Sequence, residues 1–156
     1  MDGGSIMAAK RGVANNEKAI KFQEFLIDND INVFSVNTVD DEYETVIFRS
    51  RIETNGQILP MAIIIDTSLF TIIRTQIVNN IEDSKREAIK DYLNELNNQY
   101  KIFKYYLQAN GTIIVDICLP FTDEKFDSNL VQLMLSVLVQ HLETVYHDIM
   151  TKVWGN

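Results

Sequence analysis

Between residues 15 and 28 the apolar positions Ala19, Phe22, Phe25 and Leu26 recur at helical spacing. They follow an asparagine, at 15 or 16, that can cap a first turn, and Glu17 stands where the helix dipole favours an acid. The pattern predicts an opening helix that runs to about Asp28. After Asn29 and Asp30 the period changes. INVFSV leads to a turn signal at Asp40 and Asp41, and beyond it Val46, Phe48 and Ile52 share one side of an alternating run while Arg49, Arg51 and Glu53 share the other. One face is therefore expected to be buried and one wet, as an antiparallel sheet permits. Asn55 with Gly56 predicts a two-residue hairpin turn, because both tolerate the positive φ of a type I′ turn. The returning run ILPMAIIID is almost continuously apolar, which predicts cover on both faces or a central place in the sheet. Pro60 belongs at a strand start, an edge or a bulge, since it donates no ladder bond. Asp66 to Ser68 turns the chain into a further strand, LFTIIRTQIV.

In the second half Asn80 is a candidate cap, followed by Glu82 and Asp83 in a first turn and by the helical stripe Ile89, Tyr92, Leu93 and Leu96. Asn94, Asn97 and Asn98 are expected to stop this helix near Asn97 and Asn98, through asparagine's tolerance of left-handed backbone. Phe103, Tyr105 and Leu107 then form one face of a strand. Ile113, Val115, Ile117 and Leu119 form one face of its partner, with Asn110 and Gly111 at the turn between them. A polar loop from Pro120 leads to Asp127 or Ser128 as the cap of a long last helix ending near Lys152. The expected fold class is α+β, an antiparallel β-sheet flanked by helices in the order α-β-β-β-β-α-β-β-α, with no internal repeat. Residues 15–156 are read as a single domain and 1–14 as a flexible N-terminal tail, in which Met7 is an alternative start to Met1.

The last helix has the widest apolar arc. Val131, Leu135, Leu138, Leu142, Val145, Ile149 and Val153 alternate spacings of four and three and draw a stripe that one sheet would cover. Leu130, Leu133, Met134 and Val137 add apolar surface on its flank, while Gln132, Ser136, Gln140 and Glu143 hold the opposite side. So wide an arc needs two things to pack on, and the second is expected to be another copy of the chain. The dimer contacts expected are Leu130, Leu133, Met134 and Val137, with Leu138 and His141 beside them.

Composition narrows the partners. The 156 residues fit one domain with a single core, and 46% hydrophobic residues with two prolines mark a folded chain. Twenty-two acids against fourteen bases give a net charge of -8, which repels phosphate backbones and anionic headgroups; nucleic acid and membrane are not expected partners, and no local basic patch is apparent. The single cysteine, Cys118, cannot form an internal disulfide, and with no secretory or anchoring segment read at the start the expected compartment is the cytoplasm.

Reactive constellations are weak. His141 and His147 lie six apart, so on a helix they point about 120° away from each other and cannot share a metal. Each is expected to be an edge or solvent-exposed side chain. Cys118, between Ile117 and Leu119, has no base or helix start beside it and is expected to be a packing residue. The acid pairs Asp40 with Asp41, Glu82 with Asp83 and Asp123 with Glu124 sit at turns or helix starts, where capping and solvation explain them. Asp66, at the end of an apolar strand, is the acid closest to a catalytic environment and is still read as a turn residue. Asn110, Gly111 and Thr112 spell a glycosylation sequon, but the hairpin accounts for it. No phosphate-binding glycine loop or zinc-protease motif is present. The aromatic group Tyr100, Phe103, Tyr105 and Tyr106 is assigned to core packing and a protein interface over base stacking. No catalytic, cofactor-binding or metal-ligating residue is assigned.

The helix ending LNELN at residues 93–97, the short strand after it, the Asn-Gly turn, the strand closing in Leu119 and Pro120 and the long terminal helix resemble the YbjN-like family of bacterial proteins. With the earlier hairpins the resemblance covers most of the chain from about Asn16. It implies the fold of the type III secretion chaperones, a homodimer, and a role in protein binding or regulation without catalysis; members have been labelled sensory transduction regulators. Departures are the unusually apolar terminal helix and the acidic, tyrosine-containing DDEYE at 40–44. The function expected is a non-enzymatic, cofactor-free, dimeric module that binds another polypeptide. The alternative is a small-molecule or lipid-binding domain with an apolar pocket between sheet and helices. An enzyme would need a pocket joining Asp66, His141 or Glu143.

Overall fold

The computed structural model describes residues 15–155, so the tail expected at 1–14 lies outside the described residues. Helix α1 (Glu17–Asp28) is followed by strands β1 (Ser35–Thr38), β2 (Val46–Thr54), β3 (Gln57–Ile65) and β4 (Phe70–Val78). After a 3-10 turn at Asp83–Lys85 come α2 (Arg86–Gln99), β5 (Lys104–Leu107), β6 (Ile113–Pro120) and α3 (Ser128–Trp154). This is the α-β-β-β-β-α-β-β-α order read from the sequence. The strands form one antiparallel sheet in the order β1-β2-β3-β4-β6-β5.

The helices cover one face. Phe48, Ile52, Met61, Ile63, Ile73, Val115 and Ile117 point into a single core with Phe22 of α1, Leu93 of α2 and Leu142 of α3. On the other face Arg49, Arg51 and Pro60 are exposed and Ile64 and Ile72 half-buried. The continuous apolar run of β3 therefore reflects its central place, third of six, and not cover on both sides. Pro60 sits inside β3, opposite Arg51, but β4 begins its pairing one residue later, at Met61 opposite Thr75. Alternation of the ladder aims the proline nitrogen towards that missing stretch of β4, so no bond is lost.

Local chemistry explains the element ends. Asn16 caps α1, its Oδ1 accepting from the Ala19 N–H at 3.0 Å, while its Nδ2 donates to the carbonyls of Glu44 and Ile65. At the other end the Ile31 N–H reaches the Leu26 carbonyl at 2.8 Å and the Asp30 N–H the Ile27 carbonyl at 3.1 Å, with Asp30 at φ 54°. That is a Schellman ending built on aspartate where glycine is usual. Asn55 and Gly56 both take positive φ, as the type I′ turn requires.

Two expectations about α2 do not hold. Asn80 is left-handed at φ 59° ahead of the 3-10 turn, and α2 starts at Arg86 with no side-chain cap. None of Asn94, Asn97 and Asn98 is left-handed; the helix passes through them to Gln99 and leaves by an extended Tyr100. Asn97 has another task. Its Oδ1 accepts from the Tyr105 N–H at 2.8 Å and its Nδ2 donates to the Tyr105 carbonyl at 3.0 Å, so one amide stands in for a neighbouring strand along the outer edge of β5.

Candidate functional site

The stripe of α3 that meets the sheet is buried at Val131, Leu138, Leu142, Val145, Ile149 and Val153, while Leu135, expected in it, is half-buried at its margin. Apolar surface remains on both sides of it. On one side Leu133 is 57% exposed, Leu130 is exposed, and Met134 and Val137 are half-buried. The chain's own strands do not close this flank. On the other side Gln132, Leu135 and Val139 line a cleft of about 270 Å³. At about 100° per residue the two sets point in roughly opposite directions from the helix axis.

Two of the six residues expected at the dimer contact belong elsewhere. Leu138 is 0% exposed in the core of this chain, and His141 is 7% exposed. The stripe that buries Leu138 is the one its spacing from Val131 and Val145 already marked. His141 is drawn in by aromatics: its ring stacks on Phe103 with centroids 3.8 Å apart, meets Tyr100 edge-on, and its Nε2 lies 2.5 Å from the Tyr105 hydroxyl. Burial lowers its pKa to about 4 and pushes that of Tyr105 up. The reading of His141 as an edge or exposed side chain thus fails, while His147 is exposed as expected. Tyr100, Phe103 and Tyr105 are the core cluster around it, and Tyr106 points to the other face.

The cleft is a wedge. β1 pairs only with residues 46–49 of β2, because residues 31–34 leave the sheet to reach α1. Ile31, Val33 and Phe34 form one wall, Phe22, Phe25 and Leu26 of α1 the roof, and Ser50, Ile52, Met61 and Ile63 the floor, with Arg51 and Glu53 along the β2 edge. Phe34 is fixed by an edge-on contact with Phe22, 6.0 Å between centroids. Ser50 leaves room because it is the one short side chain among the core-facing positions of β2 between Phe48 and Ile52. The apolar run INVFSV reads as strand, but only Ser35 and Val36 of it pair with β2, and the wedge lies where residues 31–34 do not.

Reactive groups are held in structural roles. Asp66 closes a turn on Ser68, accepting from its N–H at 2.9 Å and its hydroxyl at 2.5 Å. Asp41 does the same for Thr45, and those hydrogen bonds lower its pKa. Glu143 is exposed, and neither it, Asp66 nor His141 lines the cleft. Cys118, expected to pack, is exposed on the uncovered face, where partial desolvation raises its pKa and keeps it a thiol. The alternation is responsible: Ile117 and Leu119 face the core, so Cys118 cannot. On the same face lies a pair that sequence reading did not find. Arg74 grips Asp116 through Nε and Nη2, both at 2.9 Å, and the Tyr106 hydroxyl donates to Asp116 at 3.1 Å. The lone acid in the apolar run from Ile113 to Leu119 was the available signal. Among the described residues no group of three or more His, Cys, Asp or Glu is placed to hold a metal ion, and no helix is long and apolar enough to cross a membrane.

No protein-family model matches this chain, and no curated protein matches it.

Proposed function

We propose that this protein is a non-enzymatic, homodimeric module of the cytoplasm that binds another polypeptide, in the manner implied by its resemblance to the YbjN-like proteins and their chaperone-type fold. The observation that carries the reading is the two-sided apolar surface of α3. The Leu130, Leu133, Met134 and Val137 flank is left for a second copy, and the Leu135 and Val139 side borders a cleft left for a ligand. An uncovered apolar strip on a long helix favours association, because burying it removes apolar area from water. The test is multi-angle light scattering at micromolar concentration. The expected mass is twice the 18.0 kDa of the chain, falling to one chain mass in Leu133→Glu; a monomeric wild type overturns the dimer. A pull-down followed by crosslink mapping tests the polypeptide, whose crosslinks are expected at Val33 and Leu135.

A second reading, a small apolar ligand, is favoured by the cleft itself, whose about 270 Å³ is near the lower end for ligand pockets. Native mass spectrometry separates the two readings: a bound small molecule on the purified protein supports the second.

A further inference from the structure

The wedge between residues 31–34 and β2 has a backbone side as well as an apolar one. Val39 donates to the Thr45 carbonyl at 2.8 Å, so the odd-numbered residues of β2 turn their N–H and C=O groups towards β1 and the even-numbered ones towards β3. The two-residue turn at Asn55 and Gly56, flanked by the pair Thr54 and Gln57, fixes the same phase independently. β1 ends its pairing at Ser35 opposite Arg49. The next outward-facing residues, Arg51 and Glu53, consequently direct their backbone groups into the wedge, and among the described residues no backbone partner meets them. The opposite end of the sheet is treated differently, since the Asn97 amide occupies the edge of β5.

We infer that this wedge is a strand-addition slot, in which an extended segment of a partner polypeptide pairs with the Arg51 and Glu53 backbone and drops alternate apolar side chains into the cleft. The inference rests on the polypeptide-binding reading above and assigns its mode. Two donor and acceptor sets spaced by about 7 Å along a strand match the repeat of a second strand; an acyl chain offers them nothing. Charge adds to the choice. Asp28 and Asp30 end α1 just before the wall residue Ile31, and Glu53 stands at the rim with Arg51 as the one base lining the cleft, in a chain of net charge -8. A second copy would bring like charge to the slot. A segment with two or three alternate apolar residues and lysine or arginine at its ends complements it. The slot lies on the side of α3 away from the Leu133 flank, so dimerisation leaves it open.

The experiment uses the full chain and a set of capped nonapeptides with valine or isoleucine at alternate central positions and lysine at both ends. Amide hydrogen exchange is followed residue by residue. Peptide binding is expected to slow exchange at Arg51 and Glu53 at least tenfold. Arg51→Pro, which removes an edge donor without touching the β3 ladder, weakens binding at least tenfold, and Leu133→Glu leaves the affinity within twofold. The inference is overturned if no peptide in the set slows those two amides, if peptides bind equally well to Arg51→Pro, or if a small molecule seen by native mass spectrometry blocks them from the cleft. Protection of the two amides that rises with protein concentration alone overturns it too, by assigning the slot to a second copy. Peptide binding with both amides unaffected removes the slot and keeps the polypeptide-binding reading. A monomeric wild type removes the dimer and keeps the slot.

Discussion

His141 and Tyr105 meet across the core with 2.5 Å between Nε2 and hydroxyl, joining the middle of α3 to the edge strand β5. The imidazole is buried neutral, its pKa lowered to about 4 from an unfolded value near 6.5. Between those values the unfolded chain takes up a proton that the folded chain refuses, so stability is complete above about pH 6.5 and falls as the pH drops towards 4. The loss is on the order of 2 to 3 kcal/mol. Urea unfolding of wild type and His141→Gln across this range checks it: the difference between the two is expected to narrow steadily towards the acid side.

Asn97→Ala strips the outer edge of β5. The Tyr105 N–H and carbonyl lose both partners beside a residue only 3% exposed, at a cost of about 1 to 3 kcal/mol. Asn97→Asp, which accepts but cannot donate, is expected to fall between wild type and alanine. Thermal unfolding ranks the three, and amide exchange at Tyr105 accelerates in the same order.

The two apolar sides of α3 respond differently from its stripe. Leu138→Ala opens a cavity at a fully buried site and costs about 2 to 5 kcal/mol. Leu133→Glu alters an exposed position and changes the stability of the single chain by no more than about 0.5 kcal/mol. Denaturant titration at concentrations low enough to keep the chain monomeric gives both numbers.

Asp30→Gly is expected to stabilise the protein. Aspartate at φ 54° bears a left-handed strain that glycine does not, worth about 0.5 to 1 kcal/mol after glycine's greater freedom in the unfolded chain is counted. A rise in the midpoint of thermal unfolding, with the Ile31 to Leu26 hydrogen bond retained, is the measure.

Much of this architecture could be read in advance because it is periodic. The alternation of Val46, Phe48 and Ile52 fixed a strand and its buried side, and the spacing from Val131 to Val153 fixed the last helix and its stripe. Long-range choices were not legible. Asn97 looked like a helix terminator because asparagine has that local habit, and only the sheet reveals that its amide pairs with Tyr105, eight residues on. Burial of His141 depended on three aromatics, Tyr100 and Phe103 between α2 and β5 and Tyr105 within β5, converging on one ring. The wedge beside β2 is an absence of pairing at 31–34, and an apolar run such as INVFSV does not announce where its pairing stops.

The ammonium of Lys18, a residue 1% exposed, donates to the Ser68 carbonyl and lies 3.5 Å from that of Phe121. An interaction between residues 18 and 121 spans 103 positions of the chain, and closing so long a loop carries an entropy that nearby contacts must first offset. Seating of α1 therefore ties its first turn to the turn between β3 and β4 and to the end of β6, where the carbonyls that receive its lysine are held.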